Sequence, residues 1–243
     1  MSQRFYCPAA PEDGAYQING DEGRHLTRVC RKGVGDLVEI FDGRGFAAWA
    51  RIVEVAGSSA RLEVEGEPIA DRQADCRVEI AVAAPKGDRF DWLVEKAVEL
   101  GVARIVPLAT ERSVVDPRGS KLDRLRRAVV EASKQCRRNR LMELAAPEEF
   151  STYLARSDGV RLLADPAGEP PHGWPTIAEG ATARLIVGPE GGLTAREIEA
   201  ALAAGWLPIR IAAAVLRIET AAVAGAAAIL ARVQPVHCPA ALS

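Results

Sequence analysis

From residue 77 onward the sequence alternates between apolar runs of strand length and amphipathic segments of helix length. "RVEIAVAAP" predicts a buried strand, "DRFDWLVEKAVELG" carries apolar residues at helical spacing and ends at Gly101, and "ARIVPLAT" predicts the next strand. Such strand-helix-strand units set parallel strands side by side, because the helix carries the chain back across the sheet. The alternation predicts a mostly parallel sheet with helices on both faces and a ligand site at the carboxyl ends of its strands.

The same rhythm continues through the rest of the chain. We predict a basic helix over about 120–136, strands at "VRLLAD" and "ARLIVG", a helix at "TAREIEAALAAG", a strand near "LPIRIA" and an alanine-rich helix over about 219–233. The whole C-terminal part is therefore predicted to be one α/β domain.

The first 72 residues follow a period of two. The stretch "DLVEIFDGRGFAAWARIVEVAGSSARLEVEG" alternates apolar and polar positions around turns at residues 42–43 and 57–59, as antiparallel strands do. The alternation ends in the polar segment 67–75. We predict an all-β domain, a barrel or small sandwich, over 1–72 and the α/β domain over 73–243.

Composition excludes several classes of protein. A chain of 243 residues with 48% apolar residues can fill real cores. Its alanine-rich stretches are too weakly apolar to span a bilayer, and its N-terminus lacks the pattern of a signal peptide, so we expect a cytoplasmic protein. The five cysteines never form Cys-x-x-Cys, and the three histidines lie far apart, which argues against disulfides and a metal site.

Positive charge is concentrated although the net charge is only -2. Residues 112–140 hold ten basic and three acidic side chains, and a second cluster of Arg24, Arg28, Arg31 and Lys32 holds no acid. A single charge run is as often a solvated helix face, but two such clusters favour a phosphate-rich partner such as nucleic acid.

The loop Gly188-Pro189-Glu190-Gly191-Gly192 separates a predicted strand from a predicted helix that begins with the capping-box pattern of Thr194 and Glu197. Its three glycines permit positive φ and a close approach of the backbone to a ligand. The loop matches neither the P-loop nor the dinucleotide-binding fingerprint. An ordinary strand-to-helix turn and a ligand-binding loop both remain possible interpretations.

Five segments, in order and spacing, resemble the RsmE-type 16S rRNA uridine-N3 methyltransferases of the SPOUT superfamily. They are "RHLTRVCRKGVGDLVEIFDGRG", "APKGDRFDWLVEKAVELGVARIVPLATERSVV", "EASKQCRRNRL", "LIVGPEGGLTAREI" and "VLRIETAAVAG". The resemblance covers nearly the whole chain. It implies an N-terminal PUA-like β-barrel, a C-terminal trefoil-knotted α/β methyltransferase domain, a homodimer and S-adenosylmethionine as methyl donor. The implied acceptor is a uridine in the decoding region of 16S rRNA, in free rRNA or in the small ribosomal subunit.

The resemblance also assigns a cofactor site. Three stretches match those that surround the cofactor in the family: the strand end "LLAD", the loop from Val187 to Gly192 and the segment from Ile211 to Leu216. The implied cofactor-binding residues are Leu163, Ala164, Val187, Gly188, Glu190, Gly191, Gly192, Ile211 and Leu216.

Methylation at N3 requires the N3 proton to leave, because the neutral imide is a poor nucleophile. From the positions matched to the family, we hypothesise that Arg217 or Arg138 stabilises the developing charge on a uracil carbonyl. Glu219 would orient an arginine or take the proton. Glu219 is equally well explained as an acid at a helix N-terminus, and Arg138 as a phosphate contact. The predicted RNA-binding residues are Arg24, His25, Arg28, Arg31, Arg112, Gln135 and Arg138; His25 has an alternative interpretation as a structural residue.

One stretch departs from the family pattern. Where the family usually reads Leu-Gly-Pro-Arg, this chain reads Ile211-Ala212-Ala213-Ala214, and Ile218 stands in place of a usual threonine. Alanine reaches positive φ poorly and lacks the fixed φ of proline, so the cofactor loop is expected to differ in shape. Two alternatives follow: an RNA-binding protein without catalysis, and a SPOUT methyltransferase with another RNA target.

Overall fold

The computed structural model describes residues 4–71 and 76–234. The described chain divides into two compact units. The first unit consists of the residues up to 71 together with 130–141, and the second unit consists of 76–129 and 142–234. None of the helices in these ranges is long and apolar enough to cross a membrane.

The first unit contains a five-stranded sheet in the order β1-β3-β4-β5-β2. Its strands are β1 (Arg4–Tyr6), β2 (Ala15–Ile18), β3 (Leu37–Phe41), β4 (Ala47–Ala56) and β5 (Ser59–Glu65). All neighbours are antiparallel except β1 and β3. Buried and exposed residues alternate along the first half of β4, so apolar side chains such as Ile52 collect on one face of the sheet. The predicted strands and the turn at Gly57 are confirmed.

One segment of this unit differs from the all-β prediction. Residues 20–29 form a short α-helix, α1 (Gly20–Arg24), followed by a π-helical turn (His25–Val29). Leu26 anchors the segment in the core, and a Cβ atom at Gly23 would lie 1.9 Å from the carbonyl oxygen of Ser58. Glycine is therefore required at position 23, a packing reason that the strand periodicity does not reveal.

The second unit contains a seven-stranded sheet in which every pair of neighbours is parallel. Its elements are β6 (Arg77–Ala83), α2 (Arg89–Glu99), β7 (Arg104–Ala109), α3 (Ser120–Cys136), β8 (Glu143–Leu144), β9 (Glu148–Glu149), α4 (Phe150–Leu154), β10 (Val160–Glu169), β11 (Ile177–Ala178), β12 (Thr182–Val187), α5 (Ala195–Ala203), β13 (Leu207–Ile209), α6 (Ile218–Leu230) and β14 (Val233–Gln234). The strand order is β13-β10-β12-β6-β7-β8, with β9 also on β7, while β11 and β14 pair separately. A 3₁₀ turn (Pro171–Gly173) follows β10. The C-terminal residues of α3, from position 130, belong to the first unit.

Helices cover both faces of this parallel sheet, as predicted. Consecutive residues of β12 point to opposite faces. Leu185 lies under α6, where a Cβ atom at Gly225 would be 2.5 Å from its Cδ2, and Ile186 belongs to the core cluster that contains Tyr153 and Trp206 from around α4 and α5. Helix α2 packs against α6. The alternation along β12 thus separates two cores, one on each side of the sheet.

A buried charge cluster lies near the amino end of β6. Glu79, 2% exposed, accepts a hydrogen bond from the Tyr153 hydroxyl at 2.6 Å. Its carboxylate oxygens lie 3.3 Å from Arg104, 3.6 Å from Arg184 and 3.7 Å from Arg156. Burial and then the charge of Glu79 raise the pKa of Tyr153, so this hydroxyl stays protonated and donates. The cluster links β6 to both neighbouring strands and to α4.

We expect Glu79→Gln to lower the free energy of unfolding by about 3 kcal/mol, because it removes the buried negative charge shared by three arginines while keeping the shape of the side chain. Glu143→Gln is the matched control: this carboxylate also pairs with Arg104, at 3.1 Å, but is 56% exposed, and its loss should cost less than about 1 kcal/mol. Urea denaturation measures both, and equal losses would contradict the importance of the buried cluster.

Candidate active site

A cavity of about 430 Å³ opens at the carboxyl ends of β10, β12 and β13 in the second unit. Three chain segments far apart in sequence form its walls, and the start of α6 together with Arg89 of α2 completes them. The lining residues are Arg89, Ala164, Asp165, Pro166, Val187, Gly188, Pro189, Glu190, Ile209, Arg210, Ile211, Ala212, Ala214, Val215, Leu216, Arg217, Ile218 and Ala221. We call this space the first cavity. It lies at the strand ends where the parallel sheet predicted a ligand site.

The loop from Gly188 to Gly192 is both a turn and a wall of this cavity. Gly192 has φ +70°, and its amide donates to the Pro189 carbonyl at 2.8 Å. Gly188 is confined in another way, because a Cβ atom there would lie 3.0 Å from Cγ of Leu193. Positive φ is thus used at Gly192 alone of the three glycines. The predicted capping box is confirmed, since Thr194 and Glu197 exchange hydrogen bonds in both directions at the start of α5.

Three contacts hold this loop in place. Arg89 forms an ion pair with Glu190 at 2.9 Å, and Nη1 of Arg112 donates to the Gly191 carbonyl at 2.7 Å. Glu197 also accepts a hydrogen bond from the Glu111 amide at 2.9 Å. The loop is therefore fixed from α2 on one side and from the segment after β7 on the other.

The alanine stretch that departs from the family pattern adopts an ordinary backbone conformation. Among the described residues other than glycine, only Asp13, Arg31 and Arg137 have positive φ. No residue of the segment 212–214 therefore has positive φ, and both Ala212 and Ala214 line the first cavity. The small alanine side chains at these two positions do not fill the cavity.

Most, but not all, of the predicted cofactor residues line the first cavity. Those that line the first cavity are Ala164, Val187, Gly188, Glu190, Ile211 and Leu216. Leu163 is instead fully buried in the core on one face of the sheet. Gly191 lines a neighbouring cavity, and Gly192 lines neither.

The predicted catalytic residues occupy different places. Arg217 lines the first cavity as the N-cap residue of α6. Glu219, in the first turn of that helix, is 6% exposed, and its Oε2 makes no hydrogen bond within the part of the chain described. Arg138 belongs to the first unit, where burial lowers the pKa of its guanidinium.

The predicted RNA-binding residues are mostly on the surface. Those with exposed side chains are Arg24, Arg28, Arg31, Arg112 and Gln135. His25 is half-buried and packs edge-on against Phe5, with ring centroids 5.7 Å apart, which agrees with its structural interpretation. Lys134, although part of the basic segment, is buried and bonded to Glu22 at 2.8 Å and Glu131 at 3.0 Å. The basic segment therefore contributes partly to the interior of the first unit.

A second cavity of about 220 Å³ adjoins the first. It is lined by 83–86 after β6, by 112–115 after β7, by 189–191 and by Ile218. Arg112 of this cavity was predicted from the sequence as a site residue, whereas Lys86 was not, although its position directly after a predicted strand was an available signal. We call this space the second cavity.

Within the described ranges no group of three or more His, Cys, Asp or Glu side chains is placed to hold a metal ion. Cys7, Cys30, Cys76 and Cys136 are free thiols. Cys238 and His237, which entered the sequence argument, lie outside the described residues.

Comparisons with known proteins agree with this geometry. A family model for an RNA methyltransferase domain matches residues 72–230, and one for an RNA methyltransferase PUA domain matches 18–65. The chain is 33% identical over 204 residues to ribosomal RNA small subunit methyltransferase E of Synechocystis, an alignment that covers 81% of this chain and 66% of that relative. It is 27% identical to the protein of the same name from Bacillus subtilis, with 86% and 87% covered.

Two similar solved structures contain a cofactor. Ribosomal RNA small subunit methyltransferase E from Neisseria gonorrhoeae, bound to S-adenosylmethionine, superposes with a TM-score of 0.86 at 28% identity and covers 95% of this chain and 98% of its own. A methyltransferase from Legionella pneumophila with bound S-adenosylmethionine gives 0.86 at 27% identity, with 96% and 98% covered. These similarities confirm the predicted fold class, a PUA-like β domain with a SPOUT-type α/β methyltransferase domain.

We expect Gly192→Ala to lower the free energy of unfolding by about 1 kcal/mol, because alanine is strained at positive φ. Gly191→Ala is the control: its φ is not positive, and its added Cβ would make an ordinary 3.5 Å contact with Arg112, so its effect should stay within about 0.5 kcal/mol. Urea denaturation of the two variants tests the difference. A loss at Gly191 as large as that at Gly192 would refute it.

Proposed function

We propose, from the premise that the chain belongs to the RNA methyltransferase family, that it transfers the methyl group of S-adenosylmethionine to N3 of a uridine in 16S rRNA. The observation that carries the proposal is the first cavity. Its walls bring together the three separate segments that the sequence resemblance assigned to the cofactor. The relatives are named as enzymes of the small-subunit ribosomal RNA, which supports that RNA as the substrate.

The residues present fit the proposed cofactor. The cavity volume of about 430 Å³ lies within the roughly 300–1,000 Å³ that is usual for small-molecule sites. The lining combines the loop residues 187–190 and 209–212 with apolar residues such as Leu216, a composition usual for small-molecule sites. Glu219 adds a buried oxygen without a donor in the helix turn that borders the cavity, an arrangement that costs free energy unless a ligand or proton satisfies it.

When bound, the cofactor supplies an electrophilic methyl group on its sulfonium. The chain's own residues position the acceptor and stabilise charge. The exposed Arg217 guanidinium at the cavity edge is proposed to stabilise the negative charge that develops on a uracil carbonyl as N3 loses its proton. Glu219, held in the first turn of α6, is proposed to orient that arginine or to take the proton. Arg138, in the first unit, is the other arginine proposed to stabilise this charge.

RNA binding is proposed for the exposed arginines at 24, 28 and 31 and for the exposed part of the basic segment. Such localised charge favours a phosphate backbone. N3 lies on the edge of uracil that is used in base pairing, so the base must be unpaired or extruded to react. A knotted chain path, a homodimer and a cytoplasmic location complete the proposal as the resemblance implies them.

The alternative of RNA binding without catalysis rested on the alanine stretch. Since Ala212 and Ala214 have negative φ and border an open cavity, the geometry supports the catalytic proposal over this alternative.

The proposal predicts that the purified chain binds S-adenosylmethionine and that Ala212→Trp weakens this binding at least about tenfold, because the indole fills a cavity that ligand must occupy. Ala213→Trp is the matched control, because Ala213 is adjacent to Ala212, is exposed and does not line the cavity. Isothermal calorimetry measures both. Absence of binding to the wild-type chain would favour the alternative without catalysis.

The RNA target is tested by mass spectrometry of rRNA from a strain that lacks the gene. Loss of one N3-methyluridine from 16S rRNA, restored by the wild-type gene, is the expected result. Loss of a different modification, or of one in another RNA, would overturn the proposed target while leaving the cofactor proposal intact.

We expect Arg217→Ala to slow single-turnover methylation at saturating RNA about 100-fold, because one donor to the developing charge is lost. Its affinity for S-adenosylmethionine should change less than the rate does. Arg196→Ala, on the exposed surface of α5 and outside both cavities, controls for the loss of one positive charge. An unchanged rate would remove Arg217 from the chemistry.

A further inference from the structure

The second cavity shares part of its wall with the first. Pro189, Glu190 and Ile218 line both spaces. The second cavity lies at the carboxyl ends of β6 and β7, and the first at those of β10, β12 and β13, so the two are neighbours along the same edge of one sheet. The two cavities therefore adjoin each other at these three residues.

We propose that the second cavity receives the acceptor base, a uracil extruded from the RNA, and that Lys86 contacts one of its carbonyl oxygens. This inference rests on the proposed function. Direct methyl transfer requires donor and acceptor atoms at roughly 3–3.5 Å in line, so the base must enter a space that adjoins the cofactor cavity. The second cavity adjoins the cofactor cavity at residues 189, 190 and 218.

Small and apolar residues form part of the lining of the second cavity. Ala83 and Ala84, at the end of β6, are buried and small. Val114, 74% exposed, and Val115 add apolar surface to the lining. An exposed valine beside a cavity offers contact to a base face, since extruded bases are held between apolar or aromatic side chains.

The charges of this cavity favour an acceptor that becomes negative. Lys86 is exposed, and its ammonium forms no ion pair with any residue in the described ranges. The Arg112 guanidinium is also at this cavity, although one of its nitrogens is used on the Gly191 carbonyl. The negative charge of Glu190 is offset by its ion pair with Arg89. Lys86 therefore remains the cation with all of its hydrogen-bond donors available for the base.

In the reaction, N3 of the uracil releases its proton, which Glu219 or solvent water takes up, and forms a bond to the methyl carbon as the methyl–sulfur bond breaks. The sulfonium becomes a neutral thioether, and Lys86 stays an ammonium throughout. Its charge stabilises the imide anion, whose negative charge resides largely on the carbonyl oxygens. A cytosine presents an amino group in place of O4, so a contact of this lysine with O4 favours uracil.

Cross-linking of the wild-type chain tests the location. An RNA fragment of 16S rRNA carries 4-thiouridine at the methylated position and is irradiated with the chain in the presence of S-adenosylhomocysteine. Peptide mapping should place the adduct within 83–86 or 112–115. Adducts confined to other segments would overturn the proposal, and this measurement depends on no variant.

The role of Lys86 is tested by Lys86→Met. We expect single-turnover methylation to fall about 100-fold, with the calorimetric affinity for S-adenosylhomocysteine unchanged within about twofold. Lys96→Met is the control, because it removes the same charge from the far end of α2, outside both cavities. A Lys86→Met rate equal to that of the control would overturn the role of Lys86. A wild-type chain that never methylates RNA would instead refute the proposed function.

Discussion

Every strand of the seven-stranded sheet runs in the same direction, and the site depends on this constraint. Parallel strands present all their carboxyl ends at one edge, so the segments that follow them meet there whatever their distance in sequence. The ends of β10, β12 and β13 form one cavity, and those of β6 and β7 form the next. The cluster around Glu79 lies near the amino end of β6 and ties β6 to β7, β12 and α4.

Charged side chains differ in their exposure between the two ends of the sheet. Near its amino end, the buried Glu79 faces three arginines and a tyrosine, and its burial is tolerated because the charge is paired. At the carboxyl end, Lys86 and Arg217 are exposed. Charges that a ligand is proposed to meet are left accessible, while charges that hold strands together are enclosed.

The basic segment illustrates how tertiary structure divides a feature that looks uniform in sequence. Lys134 is buried between two glutamates, and their combined effect raises its pKa although burial acts in the opposite direction. Asn139 of the same segment accepts a hydrogen bond from the buried Arg4. Residues such as Gln135 remain exposed. A count of positive charges could not separate these roles, because burial depends on contacts with residues more than 100 positions away.

Periodicity and caps determined the elements of this protein. The longer strands and helices from 77 onward, the parallel sheet and the capping box at Thr194 followed from local patterns, because apolar spacing and cap chemistry act within a few residues. The short elements β8, β9, α4, β11 and β14 were not predicted. The helical segment 20–29 was not predicted from the sequence, because it depends on the packing of Gly23 against Ser58. Tertiary structure alone decided that Leu163 belongs to the core, that Gly191 faces a second cavity and that Lys86 stands beside it. Which side chains share a cavity is set by the order of strands in the sheet, and that order is a property of long-range packing.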